Sequence, residues 1–361
     1  MSTKQHFIIV GAGILGASLA FALTQRGHGV TILEKTAPAS AASGKSFAWL
    51  NANYPDTPEY FELRIAALAH YRALAQSHEL SDLVQFGGSI WWEDEGEDFD
   101  KHVALLRSFD YDCEVVDAAR VKVLAPALVA PPEKALYAPA EAGVSLVGLT
   151  QWMLAEATRR GATLHVGTDV HAPIMRGGRV TGVLTNLGEI AGDHVVFAAG
   201  IGSADLVGAL GYRLPMNNAD GLILRSHPMP AMIDQVIMSP DVHFRQDPDG
   251  TLLMGEIFSG SFDKGQDIPA LAADVVNRVR AKLIDGQDLQ LAQVQIGTRP
   301  VPADGFPVVG GVPGAPGASL AVMHSGATLG PLIGSLLCGE LLGEAPSPLL
   351  AAFRPERFLE G

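Results

Sequence analysis

The stretch that decides the fold lies near the N-terminus, where residues 7–16 read Phe-Ile-Ile-Val-Gly-Ala-Gly-Ile-Leu-Gly. The apolar run Phe7–Val10 is typical of a buried parallel strand, and the pattern from Ile14 to Arg26 predicts a helix. A second apolar run, Val30–Leu33, predicts another strand that ends at Glu34. The order strand, helix, strand indicates a βαβ unit at the start of the chain.

The glycines of this stretch form the pattern G-x-G-x-x-G at the predicted junction of strand and helix. Gly11 permits the tight turn, Gly13 lets a pyrophosphate approach the backbone, and Gly16 allows the helix to pack closely on the strand. The helix N-terminus carries a partial positive charge that favours an anion. Glu34 can accept hydrogen bonds from an adenosine ribose and disfavours the 2′-phosphate of NADP. The unit therefore predicts a dinucleotide site, and the motif alone leaves FAD and NAD open.

Composition bounds the class of protein. The 361 residues suggest two domains or one large α/β domain. The formal net charge of −14 argues against a nucleic-acid partner or an anionic membrane surface, since both require a basic face. Cys113 and Cys338 form neither a CxxC pair nor a disulfide framework, so we expect a reducing cytoplasm, no structural metal and Cys338 in the core. The two long uncharged runs are rich in glycine, and we expect no membrane-spanning segment.

The remaining chain alternates between α/β patterns and strand-rich patterns. Local periodicity predicts the following elements: helix Glu59–Glu79, strand Leu83–Trp92, helix Leu146–Arg160, strand Thr163–Val166, hairpin arms around Gly177–Gly178 and Gly188, strand His194–Phe197, alternating strands within Leu214–Asp267, and helices Asp274–Ile284 and Pro331–Leu342. We therefore predict an α/β protein with a nucleotide-binding domain that is interrupted twice. Residues 1–83, 142–213 and 295–361 would form that Rossmann-like domain, and residues 84–141 and 214–294 a β-rich, α+β substrate domain.

Five separated segments together resemble a known family. They are the glycine motif with Glu34, the loop Ala42–Ser46 followed by Trp49–Asn51, the run Val195–Gly200, the run Thr298–Gly305, and the run His324–Pro331. Their order and spacing resemble the D-amino-acid-oxidase-like FAD-dependent oxidoreductases, among them glycine oxidase, sarcosine oxidase and related amine dehydrogenases. The resemblance covers essentially the whole chain and implies a Rossmann-like FAD-binding domain. It further implies that the cofactor contacts are Gly11, Gly13, Ile14, Leu15, Gly16, Glu34, Lys35, Ser43, Gly44, Ser46, Val170, Ala199, Gly200, Arg299, Gly326, Ala327, Thr328 and Leu329.

Each segment can also be interpreted from its residues alone, without the family. The small, polar residues Ser43–Ser46 would let a phosphate or flavin edge approach the backbone, or they form an ordinary loop. Val195–Gly200 is typical of a strand that passes close under a cofactor, or of a plain core strand. Pro331 suits the first turn of a helix, which places residues 326–329 at the helix N-terminus. Backbone donors there resemble the set that faces the flavin pyrimidine ring in the family.

Two residues are the candidates for catalysis. Arg299 offers a planar fork of donors that can bind a carboxylate in two places, and Pro300 stiffens its strand end; the alternative is an ion pair. His324 is uncharged or switchable near neutral pH and precedes the flavin-facing turn, or it makes only a local hydrogen bond. The resemblance implies that Arg299 holds the substrate so that its α-carbon hydrogen points at flavin N5.

The chain departs from its relatives in the contacts to the substrate. All six tyrosines lie at or before Tyr212, so the later strands cannot supply the tyrosine that amino-acid oxidases often use. No second arginine follows between His324 and Leu342. His243 and Arg245 share one face of a predicted strand and could replace these contacts, although the interpretation that we favour is that this face points to solvent. Trp49 is either a pocket wall or an interior tryptophan, of which the second is favoured.

The resemblance implies FAD-dependent oxidation of an amino acid or secondary-amine acid, of the D-amino acid, glycine or N-methyl type. A hydride would pass from the carbon next to nitrogen to flavin N5, and the resulting imine would be hydrolysed. The electron acceptor is left open among oxygen, a quinone and a carrier protein. Two alternatives stay open: a flavoprotein subunit of a larger amine dehydrogenase complex, and an NAD-linked hydroxy-acid dehydrogenase.

Overall fold

The structure, a computed structural model, describes residues 4–256, 265 and 267–359. Residues 257–264 and 266 of the predicted strand-rich region lie outside the described residues. The chain forms two compact units. Unit 1 comprises Met1–Gly44, Leu146–Ala219 and Thr298–Gly361, and unit 2 comprises Lys45–Ser145 and Asp220–Gly297.

The elements have the following bounds in chain order. The helices are α1 (Ile14–Gln25), α2 (Pro58–His78), α3 (Gly96–Ser108), α4 (Ala118–Leu124), α5 (Leu146–Arg159), α6 (Ser203–Gly208), α7 (Ile268–Lys282) and α8 (Gly326–Leu341). The strands are β1 (His6–Val10), β2 (Gly29–Glu34), β3 (Trp49–Leu50), β4 (Val84–Gln85), β5 (Ser89–Trp91), β6 (Glu114–Asp117), β7 (Lys134–Ala138), β8 (Ala142–Val144), β9 (Thr163–Val166), β10 (Val170–Arg176), β11 (Arg179–Thr185), β12 (Gly188–Ala191), β13 (His194–Phe197), β14 (Ala219–Ser226), β15 (Val236–Met238), β16 (His243–Gln246), β17 (Leu252–Gly255), β18 (Leu291–Arg299), β19 (Val308–Gly311) and β20 (Ala318–Val322).

Unit 1 contains the predicted Rossmann-like sheet. Its six strands run in the order β19-β20-β13-β1-β2-β9, and all neighbours are parallel except β19 and β20. Strands β1 and β2 pair from His6 opposite Gly29 to Val10 opposite Leu33, with α1 as the crossover between them. The predicted βαβ unit is therefore confirmed. A second, antiparallel sheet in unit 1 joins β10, β11 and β12 and confirms both predicted hairpin arms.

Unit 2 contains an eight-stranded sheet, although strands make up a similar share of the two units. Its main sheet has the order β18-β14-β17-β16-β15-β5-β7-β6, and helix α7 contributes Val275 and Val279 to the apolar core that also contains Phe244 and Met254. Residues 45–83, which the sequence pattern groups with the nucleotide-binding segments, lie in unit 2. The reason is pairing, because β3 and β4 both pair with β8 in a separate small sheet.

The main differences from the predicted element boundaries concern β4 with β5, α7 and α8. The predicted strand Leu83–Trp92 is divided into β4 and β5, because Gly88 adopts a left-handed φ of +81° between them. Helix α7 begins at Ile268, six residues earlier than predicted, and the Asp267 side chain caps it by accepting a hydrogen bond from Ala270 N at 3.2 Å. Helix α8 begins at Gly326 and contains Pro331 in its interior.

Two further findings concern the described residues alone. Across residues 4–256, 265 and 267–359, no helix has the length and apolar character that a membrane crossing requires. Within the same ranges, no group of three or more His, Cys, Asp or Glu side chains is arranged to hold a metal ion. Cys338 is buried, which confirms its predicted place in the core.

Candidate active site

The carboxyl ends of five neighbouring parallel strands meet at one edge of the unit 1 sheet. In open α/β sheets, ligands bind outside this edge. The predicted cofactor and catalytic residues follow these strands in spatial order: His324 after β20, Ala199 and Gly200 after β13, Gly11 and Gly13 after β1, Glu34 at the end of β2, and Val170 beyond β9. Segments far apart in sequence are therefore brought to one edge. Val170 itself opens β10 and packs against the core of unit 1.

The three motif glycines are needed for different reasons. A Cβ built on Gly11 would lie 2.5 Å from the Ala198 carbonyl oxygen, and one on Gly16 would lie 1.9 Å from the Gly11 carbonyl oxygen. Packing of the backbone therefore requires both. A Cβ on Gly13 would come within 4 Å of a single neighbouring atom, the Ser43 hydroxyl oxygen, at 3.1 Å. Gly13 thus leaves space on the side where a ligand phosphate would approach.

Polar groups around this space are already oriented. The backbone N–H of Ile14 donates to Ser43 Oγ at 3.1 Å, so the Ser43 loop lies directly beside the start of α1. The Glu34 carboxylate accepts from Ala12 N at 2.9 Å and, through its other oxygen, from Thr36 N at 2.9 Å. These bonds hold the carboxylate at the end of β2, where it suits a ribose. The residues present therefore fit a dinucleotide.

Lys35 and Asp169 link the turns at this end of the sheet. Lys35 Nζ lies 2.9 Å from Asp169 Oδ2, and the backbone N–H of Thr168 donates to Glu34 O at 2.9 Å. The Lys35 side chain is exposed. It therefore lies at the rim of the predicted site, and its ion pair connects the segment after β2 to the segment after β9.

The first turns of α1 and α8 lie side by side. A Cβ on Gly326 would lie 3.4 Å from the Ile14 side chain, one on Gly330 would lie 2.8 Å from it, and one on Gly334 would lie 2.6 Å from Ser18. These small residues let the two helices approach closely, with Thr328 and Leu329 buried. Because a helix N-terminus carries a partial positive charge, two such ends together favour an anionic ligand.

The two candidate catalytic residues both lie in unit 1. A Cβ on Gly200 would lie 3.9 Å from Pro300 Cγ, which places the Arg299–Pro300 pair beside the end of β13. Arg299 is half-buried, and this burial lowers the pKa of its guanidinium, which still stays protonated near neutral pH. His324 is exposed and lies one residue before Ser325, the N-cap of α8, with its Nε2 3.3 Å from Ser325 Oγ.

The four predicted site residues of unit 2 lie in or against the stretch 46–49. Ser46 Oγ accepts from Ala48 N at 3.0 Å, and the buried Trp49 donates from Nε1 to Glu141 at 2.8 Å, which confirms it as an interior tryptophan. His243 and Arg245 are only 3% and 2% exposed, so the prediction that their face points to solvent is wrong. The reason is that Phe47 and strand β8 cover this face: Arg245 donates to Phe47 O and Val144 O, and the His243 ring packs against the Phe47 ring.

Glu141 and Arg64 are among the buried ionisable residues of unit 2 that the sequence analysis missed. Glu141 is completely buried and accepts from Trp49 Nε1 at 2.8 Å, from Ala52 N at 3.2 Å, and from the Ser89 and Tyr111 hydroxyls. Burial raises the pKa of Glu141, while these hydrogen bonds oppose the rise. No local pattern marks it, since its donors come from three separate stretches of the chain, at residues 49–52, 89 and 111.

Arg64 is the second such residue. It is buried in α2 and donates to the carbonyl oxygens of Asn51 and Tyr54, each at 2.9 Å. Arginines in helices are mostly exposed, and the sequence around Arg64 contains no signal that this arginine is buried. Together, Glu141 and Arg64 bind the backbone of the chain between Asn51 and Tyr54.

A parallel sheet with a glycine-rich turn, two adjoining helix N-termini and an oriented carboxylate defines a dinucleotide-binding protein of the Rossmann class. Within that class, the family described as FAD dependent oxidoreductase (DAO) matches residues 6–339. The chain belongs to this family and is an FAD-dependent oxidoreductase. The family decides between the two dinucleotides that the motif left open, in favour of FAD.

Individual relatives cover almost the entire chain. A glycine oxidase of Pseudomonas aeruginosa is 27% identical over 364 residues, covering 95% of this chain and 96% of the relative. The hydrogen cyanide synthase subunit HcnC of the same organism is 26% identical, covering 99% and 98%. The crystal structure of glycine oxidase from Geobacillus kaustophilus has a TM-score of 0.86 with 23% identity, covering 98% and 99%, and supports the fold.

Proposed function

We propose that this protein uses FAD to oxidise a small amino acid of the glycine or N-alkylglycine type at the carbon next to its nitrogen. The observation that favours a substrate with a carboxylate over a plain amine is the position of Arg299. Its guanidinium is half-buried, in the same unit as the glycine motif and next to the end of β13. The relatives named glycine oxidase support the same class of substrate. A planar fork of donors matches a carboxylate in both geometry and charge.

The side chains of this protein would bind and orient the substrate. Arg299 would bind the carboxylate through two hydrogen bonds, and partial burial would strengthen this attraction relative to water. Fixing the carboxylate also fixes the neighbouring carbon, so positioning supplies much of the rate without a dedicated side-chain base. When bound, FAD supplies the two-electron oxidant, which converts the amine to an imine that water hydrolyses. The other predicted FAD contacts, from Gly11 through Leu329, are part of this proposal.

The experiment compares substrates with and without a carboxylate. Purified protein is mixed anaerobically with glycine, N-methylglycine, both alanine enantiomers or L-proline, and bleaching of the flavin absorbance is followed. Methylamine and dimethylamine serve as matched compounds that lack the carboxylate. We expect bleaching by at least one acid and little by either amine.

Substitution of Arg299 tests the anchor directly. A charge-assisted pair contributes about 1.5–3 kcal/mol, and leaving the substrate carboxylate unpaired adds to the loss. Arg299→Ala should therefore lower kcat/KM for the acid by about 10- to 1000-fold. Arg299→Lys should recover part of this, because one ammonium cannot reproduce the planar fork. An unchanged kcat/KM in Arg299→Ala, or a better rate with the decarboxylated amine, would show that the anchor is wrong.

A second candidate is an electron-passing subunit of a larger amine dehydrogenase. The observation that favours it is the near-equal identity to HcnC, which is named as a subunit. Under this alternative, substrate would bleach the flavin, but air would restore its absorbance only slowly. Rapid reoxidation by oxygen would favour an oxidase, and rapid reoxidation only by a quinone or an added carrier protein would favour the dehydrogenase.

A further inference from the structure

The segment Ser46–Trp49, called here the 46–49 segment, contains one predicted FAD contact and one predicted substrate contact. Its backbone is held in an uncommon conformation, because Ala48 has a φ of +56°, in the left-handed region. A residue in this conformation is strained and persists only where its surroundings hold it. Within the segment, Ala48 N donates to Ser46 Oγ at 3.0 Å.

Arg245, on β16, holds it through the Phe47 carbonyl. The side chain is 2% exposed, and its Nε donates to Phe47 O, 198 residues away in sequence. One terminal nitrogen donates to Val144 O at 2.8 Å, and the other pairs with the carboxylate of Asp247. All three nitrogens of the guanidinium are therefore used, and two of the three bonds end on backbone carbonyls outside β16.

Neighbouring residues fit this arrangement closely. The His243 ring lies edge-on to the Phe47 ring, with 4.5 Å between centroids. A Cβ built on Gly143 would lie 3.2 Å from both Cδ and a terminal nitrogen of Arg245, so the guanidinium fills the space above β8. The two predicted substrate contacts of β16 thus support one residue, Phe47, from the side chain and from the backbone.

We propose that Arg245 is a positioning residue: it fixes the 46–49 segment through the Phe47 carbonyl and thereby sets FAD affinity and substrate turnover. The ligand identities rest on the proposed function, whereas the mechanical role rests on the contacts alone. A buried ion pair is by itself weak grounds for stability, since apolar replacements of equal volume are often neutral or stabilising. The Arg245–Asp247 pair instead orients a donor at a strained backbone.

The experiment compares Arg245→Met and Arg245→Lys with a matched variant, Arg278→Met. Arg278 is a mostly buried arginine of the same unit, paired with Glu256 and Asp274 and bonded to Asp241 O, and none of these partners belongs to the 46–49 segment. Hydrogen–deuterium exchange of peptides covering residues 45–54 is measured on apoprotein. FAD affinity is measured by titration, and single-turnover flavin reduction is measured on the reconstituted enzyme.

We expect Arg245→Met to raise exchange in the segment at least 10-fold and to weaken FAD binding about 10-fold. Flavin reduction should slow by about 10- to 100-fold, as misplacement of a site by around 1 Å does. Arg245→Lys should restore part of each, since an ammonium can reach one acceptor but not all three. Arg278→Met should lower thermal stability without changing exchange in the segment or FAD affinity. If Arg245→Met behaves like Arg278→Met, the positioning role is wrong.

If Arg245→Met does not fold, the variant Gly143→Ala tests the positioning role of Arg245 instead. The added methyl group would press on the guanidinium by a few tenths of an ångström without removing any hydrogen-bonding group. We expect it to raise exchange in the segment and FAD dissociation several-fold, and wild-type values for both would overturn the proposal. Failure of the proposed function is separate, because a wild-type flavoprotein that no amino acid bleaches still gives the exchange and affinity results.

Discussion

Replacement by alanine should have different effects at two glycines of the motif: Gly13→Ala should weaken FAD binding, and Gly16→Ala should destabilise the fold. Gly13 has an extended backbone, with φ −78° and ψ −175°, which alanine adopts without strain. Its added methyl group would meet only the Ser43 hydroxyl, at 3.1 Å, and then the space reserved for the ligand. Gly16 has no such freedom, because its methyl group would lie 1.9 Å from the Gly11 carbonyl oxygen and 3.2 Å from Ile9 Cγ2.

The expected magnitudes follow from these distances. For Gly13→Ala, the small contact with Ser43 and the lower entropy of the unfolded chain nearly cancel, so apoprotein stability should change by less than about 1 kcal/mol. Loss of one charge-assisted hydrogen bond to the pyrophosphate, about 1.5–3 kcal/mol, should weaken FAD binding about 10- to 150-fold. For Gly16→Ala, α1 must move away from β1, and the unfolding free energy should fall by about 3 kcal/mol or more.

The assay is urea unfolding of apoprotein, followed by FAD titration of each folded variant. Gly208→Ala is the control, since a Cβ there meets nothing within 4 Å and the residue ends helix α6. It should leave both quantities close to wild type. The reasoning is refuted if Gly13→Ala binds FAD with wild-type affinity, or if it destabilises the apoprotein as much as Gly16→Ala does.

Three further outcomes are expected. Glu141→Leu removes the acceptor of four buried donors and should lower the unfolding free energy by about 3–5 kcal/mol. Glu141→Gln should lower it less, because the amide oxygen of glutamine still accepts hydrogen bonds. Equal losses of the two variants in urea unfolding would contradict this. Burial lowers the pKa of His194 to about 4, below the unfolded value of about 6.5, so the unfolded state binds the extra proton and stability falls as pH drops through this window. His194→Gln should therefore remove about 2–3 kcal/mol of the difference in unfolding free energy between pH 7 and pH 4.5, and an unchanged difference would assign the pH dependence to other groups. His324→Ala should slow single-turnover flavin reduction about 10-fold, which corresponds to the loss of about one hydrogen bond, ~1.4 kcal/mol. Thermal stability should be unchanged because His324 is exposed, and an unchanged rate would leave it a local hydrogen-bonding residue.

The sequence by itself determined the nucleotide-binding half of the fold. Helix α1 ends within one residue of its predicted end, and β1 and β2 extend one residue or less beyond their predicted limits at each end. These signals are local: a short apolar run, a helical period and glycines at set intervals each specify their own stretch of backbone. The parallel order of the strands then brings the residues after β20, β13, β1 and β2 to one edge, which strand–helix alternation predicts.

The start of α8 was decided by tertiary packing. Pro331 predicted a helix beginning at that residue, yet the helix begins five residues earlier, at Gly326. The glycines at 326, 330 and 334 let this turn pack against Ile14 and Ser18 of α1. Contact with another helix therefore stabilises a turn that local propensity, with glycine and proline inside it, disfavours.

The roles of the charged residues in unit 2 were also decided by the tertiary structure. The strand around Arg245 alternates in a way that fits either a solvent face or a buried one, and only the packing of Phe47 and strand β8 against this face excludes solvent. The partners that make burial of these charges possible are distant in sequence: Phe47 lies 198 residues from Arg245, and Trp49 lies 92 residues from Glu141. A charged side chain is buried only where partners replace its water, and a local pattern cannot specify partners that the folded chain alone brings together.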